Sequence, residues 1–188
     1  MVLDYVRIRF STQDVKHVVE DILQLKLDVM IHEDYGFYSY AEHYVLGDVF
    51  VLTSPDKEKG TLLELKGKGC RQMESYLLAQ HRSWYDFLMD ALVEGGVMKR
   101  LDLAINDMAG ILDIPELTEK CNHEECISVF RSFKSYRSGE LVRSNEQDRY
   151  GMGNTLYIGS LKSEVYFCIY EKDYEQYVKY DIPIEDTK

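Results

Sequence analysis

The sequence predicts an α+β fold in which a mostly antiparallel central sheet has its helices packed on one face. Short runs with two-residue alternation recur along the chain, and helical spacing appears in only a few segments between them. The connections between these runs are tight, which favours an antiparallel or mixed sheet. At 188 residues the chain can bury one substantial core, so we expect one domain over residues 1–188.

The first half of the chain predicts a strand, a helix, a hairpin and a further strand. Residues 3–10 alternate well enough for a strand, and Ser11 or Thr12 then offers an N-cap for apolar residues at helical spacing. Residues 35–53 are rich in Tyr, Val and Phe, and Gly47 with Asp48 marks a hairpin turn between two β-prone runs. Residues 61–66 resume the strand pattern.

The second half alternates helices and strands in the same way. A stripe of apolar residues predicts one long helix over 72–93, which Gly95 and Gly96 end. The later elements are a strand over 97–105, a short helix from Ile114 toward Glu125, a strand over 130–136, a polar surface loop over 137–153, strands over 155–159 and 165–170, and a tail over 171–188 with a short helix.

Composition limits the classes of protein that the chain can belong to. No apolar run approaches the ~20 residues that cross a bilayer, so we expect a cytoplasmic protein without a membrane partner. The four cysteines lack paired spacing and are expected to be reduced thiols rather than a zinc site. The formal charge of −11 opposes DNA binding overall, but Lys and Arg are concentrated in 66–71 and 131–149.

Three strands carry polar residues in the positions where chemistry could occur. Glu64 lies inside an apolar strand, Asp102 lies in the strand from Val97, and Tyr170 points away from the apolar face of the last strand. A carboxylate inside a strand needs a compensating Arg, Lys or metal ion. We therefore expect either a solvent-exposed face with ordinary ion pairs, or carboxylates that hold Mg²⁺ or Mn²⁺ beside a tyrosine nucleophile.

A tyrosine nucleophile needs activation, because its phenol has an ordinary pKa of about 10. Lys172 lies two residues after Tyr170 and on the same predicted face, so it is the candidate activating group. The chain has fifteen tyrosines, and composition alone does not select Tyr170. The five histidines include no His-x-His pair, so a metal ion would be held mainly by carboxylates.

Three motifs together resemble a known family. They are Gly67-Lys-Gly-Cys-Arg71, Arg100-Leu-Asp-Leu-Ala-Ile-Asn-Asp107, and the run from Thr155-Leu-Tyr-Ile-Gly-Ser to Ile169-Tyr-Glu-Lys172. Their order and spacing resemble the replication initiation factor family of Gram-positive rolling-circle plasmids and its relaxase relatives in integrative conjugative elements and conjugative transposons. The resemblance covers the chain from about residue 3 to its end.

The resemblance implies a nickase. A member of this family cuts one strand of origin DNA, single-stranded or supercoiled duplex, and forms a 5′-phosphotyrosyl intermediate with a free 3′-hydroxyl that starts replication or transfer. By position in the motif, Tyr170 matches the nucleophile and Lys172 follows it as in the family. The implied metal ligands for Mg²⁺ or Mn²⁺ are Glu64, Asp102 and Asp107.

The same resemblance suggests partners and raises an alternative function. The predicted DNA-binding residues are the cations of the motifs and of the turn before the last strand: Lys66, Lys68, Arg71, Arg100 and Lys162. A helicase and a second copy of the chain are the other implied partners. Family members usually continue with a further acidic strand, so we expect a core that lacks its C-terminal part; the alternative is a truncated, catalytically incomplete DNA-binding or regulatory fragment of a mobile element.

Overall fold

The computed structural model of the protein describes residues 1–139, 151–172 and 175–176. The chain forms two compact units, Met1–Asn106 and Asp107–Lys188, and each has its own sheet. Both sheets are antiparallel and carry helices, as the α+β class requires. The predicted fold class is confirmed. The expectation of one replication initiation factor core over 1–188 stays a prediction.

The first unit is built on a six-stranded sheet with the strand order β2-β3-β4-β5-β1-β6. Its strands are β1 (Val2–Phe10), β2 (Ile31–Glu33), β3 (Glu42–Leu46), β4 (Val49–Thr53), β5 (Thr61–Lys66) and β6 (Val97–Ala104). The hairpin predicted at Gly47 and Asp48 is confirmed as the β3–β4 turn, and Gly47 has the positive φ of 60° that such a tight turn needs. β2 was not predicted, because three residues are too few to show a period.

Helices cover one face of this sheet and enclose the core. They are a π-helical turn (His17–Ile22), α1 (Lys68–Ala79) and α2 (Trp84–Val93). The alternating residues Val6, Ile8, Leu63 and Leu65 of the central strands are fully buried. Against them pack the buried helix residues Val18, Val19, Ile22, Met73, Leu77, Phe87 and Ala91. The polar positions of the same strands consequently lie on the opposite face.

The single long helix predicted over 72–93 is wrong. The chain breaks after α1, where His81 adopts a positive φ of 56°, and a new helix begins at the N-cap Ser83. The Ser83 side chain accepts a hydrogen bond from the backbone N–H of Asp86, and the Asp86 carboxylate accepts one from the backbone N–H of Ser83. This capping box stabilises a helix start inside a continuous apolar stripe, so the stripe alone did not reveal the break.

Over its described residues the second unit contains a three-stranded sheet with the order β7-β8-β9, preceded by a helix. The elements are α3 (Ile114–Asn122), β7 (Phe133–Gly139), β8 (Gly151–Gly159) and β9 (Tyr166–Tyr170). The polar loop predicted over 137–153 is therefore shorter at both ends, because strand pairing extends to Gly139 and from Gly151. Residues 140–150 of that prediction, and all but a few residues of the tail predicted over 171–188, lie outside the described residues.

Candidate functional site

The polar face of the first sheet gathers charged and aromatic side chains around β1, which lies between β5 and β6. In the strand register Arg7 of β1 lies opposite Glu64 of β5 and Arg100 of β6, while Tyr5 of β1 lies opposite Asp102 of β6. Residues at paired positions point to the same face, so these five side chains share it. We call this group, together with Tyr38 and Lys66, the basic-aromatic cluster. The prediction that Glu64 and Asp102 share a sheet face is confirmed.

Glu64 is the buried centre of this cluster. Its side chain is only 3% exposed, yet it accepts a hydrogen bond from the Tyr5 hydroxyl. Its carboxylate lies 2.5 Å from Arg7 Nη2 and 3.0 Å from Lys66 Nζ. Burial raises the pKa of the Glu64 carboxyl, but the hydrogen bonds from Tyr5, Arg7 and Lys66 outweigh it and the pKa lies below its usual value. The carboxylate is thus ionised and its charge is balanced by two cations.

Two tyrosine rings of the cluster make cation–π contacts with its arginines. The Arg7 guanidinium lies 4.1 Å from the ring centre of Tyr38, and the Arg100 guanidinium lies 4.1 Å from that of Tyr5. Lys66 Nζ also donates to the Tyr38 hydroxyl at 3.1 Å. Burial, followed by the hydrogen bond to Glu64, raises the pKa of Tyr5. The tyrosine therefore stays protonated and remains a donor to Glu64.

Arg100 and Asp102 form the second ion pair of this face. Arg100 Nε and Nη2 both donate to the Asp102 carboxylate, at 2.9 and 2.5 Å for the nearest oxygens. The two side chains are 51% and 37% exposed, so this pair lies at the solvent edge of the cluster. Arg100 is accordingly accessible to a phosphate group, whereas Arg7, at 22%, is mostly covered.

Sequence reasoning missed Arg7, Tyr5 and Tyr38. Two of them were visible as the polar half of the alternation in Tyr5-Val-Arg7-Ile, but nothing in the sequence states that β1 lies between β5 and β6. Tyr38 comes from the loop before β3, where no periodic signal exists. Tyr38 has a positive φ of 54°, and its ring packs against the Arg7 guanidinium of the cluster.

Two predicted DNA-binding residues lie at the start of α1, after the β5 end. Lys68 is exposed in the first turn. Arg71 donates to the backbone carbonyl of Leu3 and lies 3.3 Å from Glu74. Both therefore present positive charge at the surface, but neither is a member of the basic-aromatic cluster.

Tyr170 and Lys172 lie at the end of β9 in the second unit. The Lys172 ammonium donates to the Tyr170 hydroxyl at 3.2 Å, and its Nζ lies 5.5 Å from the tyrosine ring centre. It also lies 3.3 Å from the Glu175 carboxylate. Burial lowers the pKa of Lys172, but its contacts with Tyr170 and Glu175 outweigh this and raise it. Tyr170 is 39% exposed, so its hydroxyl can be reached from solvent.

The sequence pattern allowed Glu64, Asp102 and Tyr170 to meet on one sheet face, but Tyr170 lies in a different sheet from the two carboxylates. β9 pairs with β8 in the three-stranded sheet, whereas β5 and β6 belong to the six-stranded one. Alternation identified the face of each strand correctly, but it carries no information on which strands pair. Lys162, the remaining predicted DNA-binding residue, is exposed in the turn between β8 and β9.

The predicted metal ligands do not fit a divalent ion as they are arranged. Glu64 is already paired with Arg7 and Lys66, and Asp102 with Arg100. Asp107 accepts hydrogen bonds from the backbone N–H groups of Ala109 and Leu112. Over residues 1–139, 151–172 and 175–176, no group of three His, Cys, Asp or Glu side chains is placed to hold a metal ion.

Comparisons with known proteins agree with the motifs. Residues 1–90 match the rolling circle replication initiation protein N-terminal domain, and residues 96–188 match the replication initiation factor family. The chain is 45% identical over 185 residues to the Bacillus subtilis (strain 168) protein named "Putative DNA relaxase NicK", covering 98% of this chain but 51% of that protein. It thus spans about half the length of this curated relative.

A solved structure has the same fold. A rolling circle replication initiator protein from Geobacillus stearothermophilus superposes with a TM-score of 0.72 at 25% identity, over 93% of this chain and 67% of that one. None of the helices in the described ranges is long and apolar enough to cross a membrane. The two family matches together cover nearly the whole chain, which belongs to the replication initiation factor family of rolling-circle initiators and relaxases.

Proposed function

We propose that the chain cuts one strand of origin DNA at a specific site, with Tyr170 as the nucleophile. The Tyr170 oxygen loses its proton and forms a bond to the scissile phosphorus, while the bond from phosphorus to the 3′ oxygen breaks. The DNA is left with a 5′-phosphotyrosyl link and a 3′-hydroxyl, which takes up a proton and starts rolling-circle replication or conjugative transfer.

The contact between Lys172 and Tyr170 carries this proposal. A phenol is a poor nucleophile at neutral pH, and an adjacent cation stabilises the phenolate that must attack. Lys172 Nζ is 3.2 Å from the Tyr170 oxygen, and its raised pKa keeps it protonated. The same ammonium is placed to balance the charge that develops on the phosphate oxygens. Tyr170 is also 39% exposed, so a DNA strand can reach its hydroxyl.

Surface cations of both units would position the DNA backbone. Arg100 and Lys66 are more than half exposed at the edge of the basic-aromatic cluster. Lys68, Arg71 and Lys162 supply further exposed charges. Phosphate contacts of this kind carry affinity rather than sequence information. Origin DNA is therefore the proposed partner, and a helicase and a second copy of the chain stay predictions.

A requirement for Mg²⁺ or Mn²⁺ is a separate proposal. Its support is the chemistry of phosphoryl transfer, in which a divalent ion neutralises charge on a phosphate oxygen. The proposed role of Tyr170 rests on its contact with Lys172 and uses none of the carboxylates of the basic-aromatic cluster. Chelation of divalent ions by EDTA in the assay below tests the two proposals independently.

The alternative is a DNA-binding or regulatory fragment that cannot cut. It is favoured by one observation: the chain spans 51% of the curated relative, so residues needed for cleavage could lie in the other half of such a protein. This alternative predicts salt-sensitive DNA binding with no cleavage under any divalent ion.

The test is a covalent adduct assay. The chain is incubated with end-labelled single-stranded oligonucleotides that tile the origin of the replicon encoding it, with Mn²⁺ or with EDTA, and run on a denaturing gel. We expect a protein-linked band that Tyr170→Phe abolishes. Tyr85→Phe, which removes the hydroxyl of a 71% exposed tyrosine in α2, should retain the band. No band from this chain, but one from a longer chain that continues past residue 188, would support the fragment alternative.

A further inference from the structure

One face of the second sheet carries four tyrosines. Tyr136 and Tyr170 both pair with Thr155, so they lie in one row across the three strands, about 10 Å apart. Tyr157 lies in the next row of β8, and Tyr166 is four residues before Tyr170 on β9. Since residues two apart share a face, all four point the same way. We call this surface the tyrosine face.

The rings of the tyrosine face contact one another. Tyr136 meets Tyr157 edge to face, with 5.7 Å between ring centres and 84° between planes, and Tyr157 stacks on Tyr166 at 5.6 Å and 13°. The positions between them hold the smaller residues Thr155, Gly159 and Cys168. Tyr136 is 58% exposed, although the opposite face of the same sheet buries Leu156 completely. The opposite face also exposes Phe133 and Phe167, at 39% and 47%, so the tyrosine face is distinguished by its row of contacting tyrosine rings and by the exposure of Tyr136.

Positive charge accompanies the rings. Lys134 lies opposite Tyr157 in the register, and Lys172 continues the alternation past Tyr170. At the strand positions of this face that the structure describes, no carboxylate occurs, but the Glu175 carboxylate borders the face, 3.3 Å from Lys172 and close enough to add to burial in raising the pKa of Cys168. In a chain with a net charge of −11, the strand positions of this face thus carry tyrosines and Lys134, while the charge of Lys172 is shared with Glu175. The face is complementary to an anionic, ring-bearing ligand.

We propose that the tyrosine face is a stacking platform for unpaired bases of single-stranded DNA. Exposed aromatic rings on a sheet stack successive bases whatever their sequence, while neighbouring lysines follow the phosphates. A duplex cannot use this surface, because its base faces are already stacked. The inference rests on the proposed function and deepens it, since bases held on Tyr136 and Tyr157 place the adjoining phosphates beside Tyr170.

Two DNA strands of equal charge, one with bases and one without, distinguish binding by base stacking from binding by charge attraction. A strand of oligo-dT of about a dozen nucleotides and an abasic strand of equal length carry the same phosphates, but only the first has bases to stack. Both are bound to the Tyr170→Phe chain, which retains the ring and cannot form the adduct, and affinity is read by fluorescence anisotropy of an end label. We expect oligo-dT to bind about tenfold more tightly, or better, than the abasic strand.

Substitutions then test whether the preference for oligo-dT over the abasic strand depends on the tyrosine face. In the same background Tyr136→Ala should remove most of the difference between the two strands, and Tyr136→Phe should keep it because the ring remains. Tyr85→Ala, an exposed tyrosine of α2, should leave it unchanged. Far-UV circular dichroism and melting temperature confirm that each variant is folded.

Two results would overturn the platform: equal affinity for oligo-dT and the abasic strand, or a folded Tyr136→Ala chain that keeps the full preference. Failure of the nicking proposal looks different. In that case the intact chain forms no covalent adduct, but the preference for oligo-dT and its loss in Tyr136→Ala are both present.

Discussion

Arg7 of β1 and Glu64 of β5 occupy directly opposed positions in the sheet, with 2.5 Å between the guanidinium and the carboxylate. Desolvating a carboxylate costs several kcal/mol, and a buried pair offsets that cost only when further hydrogen bonds complete it. Here Tyr5 and Lys66 supply those bonds. The polar network therefore joins β1 and β5 on the face opposite the apolar core.

The first prediction is that Glu64→Gln destabilises the first unit by roughly 3 kcal/mol, because it leaves the mostly covered Arg7 without its counter-charge. Urea unfolding followed by the fluorescence of Trp84, the chain's single tryptophan, measures it within this unit. The matched control is Asp102→Asn, which breaks a pair that is about half exposed and should cost less than about 1 kcal/mol. Equal losses in the two variants would contradict the assigned role of Glu64.

The second prediction concerns acid. The folded-state pKa of Glu64 lies below its unfolded value, so the carboxylate contributes stability above that unfolded value, and this contribution is lost as the pH falls through the folded pKa. We expect the free energy of unfolding to fall as the pH drops below about 4.5, and to fall less steeply in Glu64→Gln. Parallel pH profiles for both proteins would show that other carboxylates cause the loss.

The sequence predicted which strand positions are polar better than it predicted which strands meet. Two-residue alternation placed Glu64 and Asp102 on the face away from Leu63 and Leu65, because side-chain direction follows from the backbone. It could not place Arg7 between them, since β1 and β5 are far apart in sequence and their pairing is a tertiary choice. For the same reason it could not show that Tyr170 belongs to a second sheet.

The break between α1 and α2 had a local signal that the apolar stripe concealed. Ser83 followed three residues later by Asp86 is a capping pattern, and both of its hydrogen bonds form. The hydrophobic period of a helix shows which of its residues are buried. The period continues across a break when the next helix packs on the same core. Where a stripe and a capping pattern conflict, the capping pattern identifies the helix start.

The third prediction tests that cap. Ser83→Ala should lower the free energy of unfolding by about 1 kcal/mol, because the N–H of Asp86 loses its acceptor at the start of α2. Ser75→Ala is the control: this exposed serine lies inside α1 and bonds only the backbone carbonyl of Gln72, so alanine should be neutral or slightly stabilising. Urea unfolding with Trp84 fluorescence, whose residue opens α2, compares the two.

The fourth prediction concerns neutral pH. His17 lies between Asp21 at 2.8 Å and Glu94 at 3.3 Å, so it links the π-helical turn to the end of α2. The hydrogen bond to Asp21 raises the pKa of His17, with a smaller opposing effect of burial. Its contribution to stability is therefore full below the unfolded pKa of about 6.5 and is lost as the pH rises through the folded pKa.

We expect the melting temperature of the first unit, read by Trp84 fluorescence, to decline as the pH rises through this range. His17→Gln should remove that part of the decline, because glutamine keeps a polar group but does not titrate. A decline of equal size in both proteins would show that another group is responsible.

The last prediction concerns Lys172 and follows from the proposed nucleophile. If the ammonium stabilises the Tyr170 phenolate, Lys172→Met, which keeps the length of the side chain, should slow adduct formation on the order of a hundredfold even when the DNA concentration saturates binding. Lys172→Arg should recover part of the rate. Lys162→Met removes an exposed charge in the turn before β9 and should instead weaken binding and reduce its salt dependence, with the rate in the bound state unchanged. If both variants lose only affinity, Lys172 is a phosphate contact and the nucleophile is activated by another group.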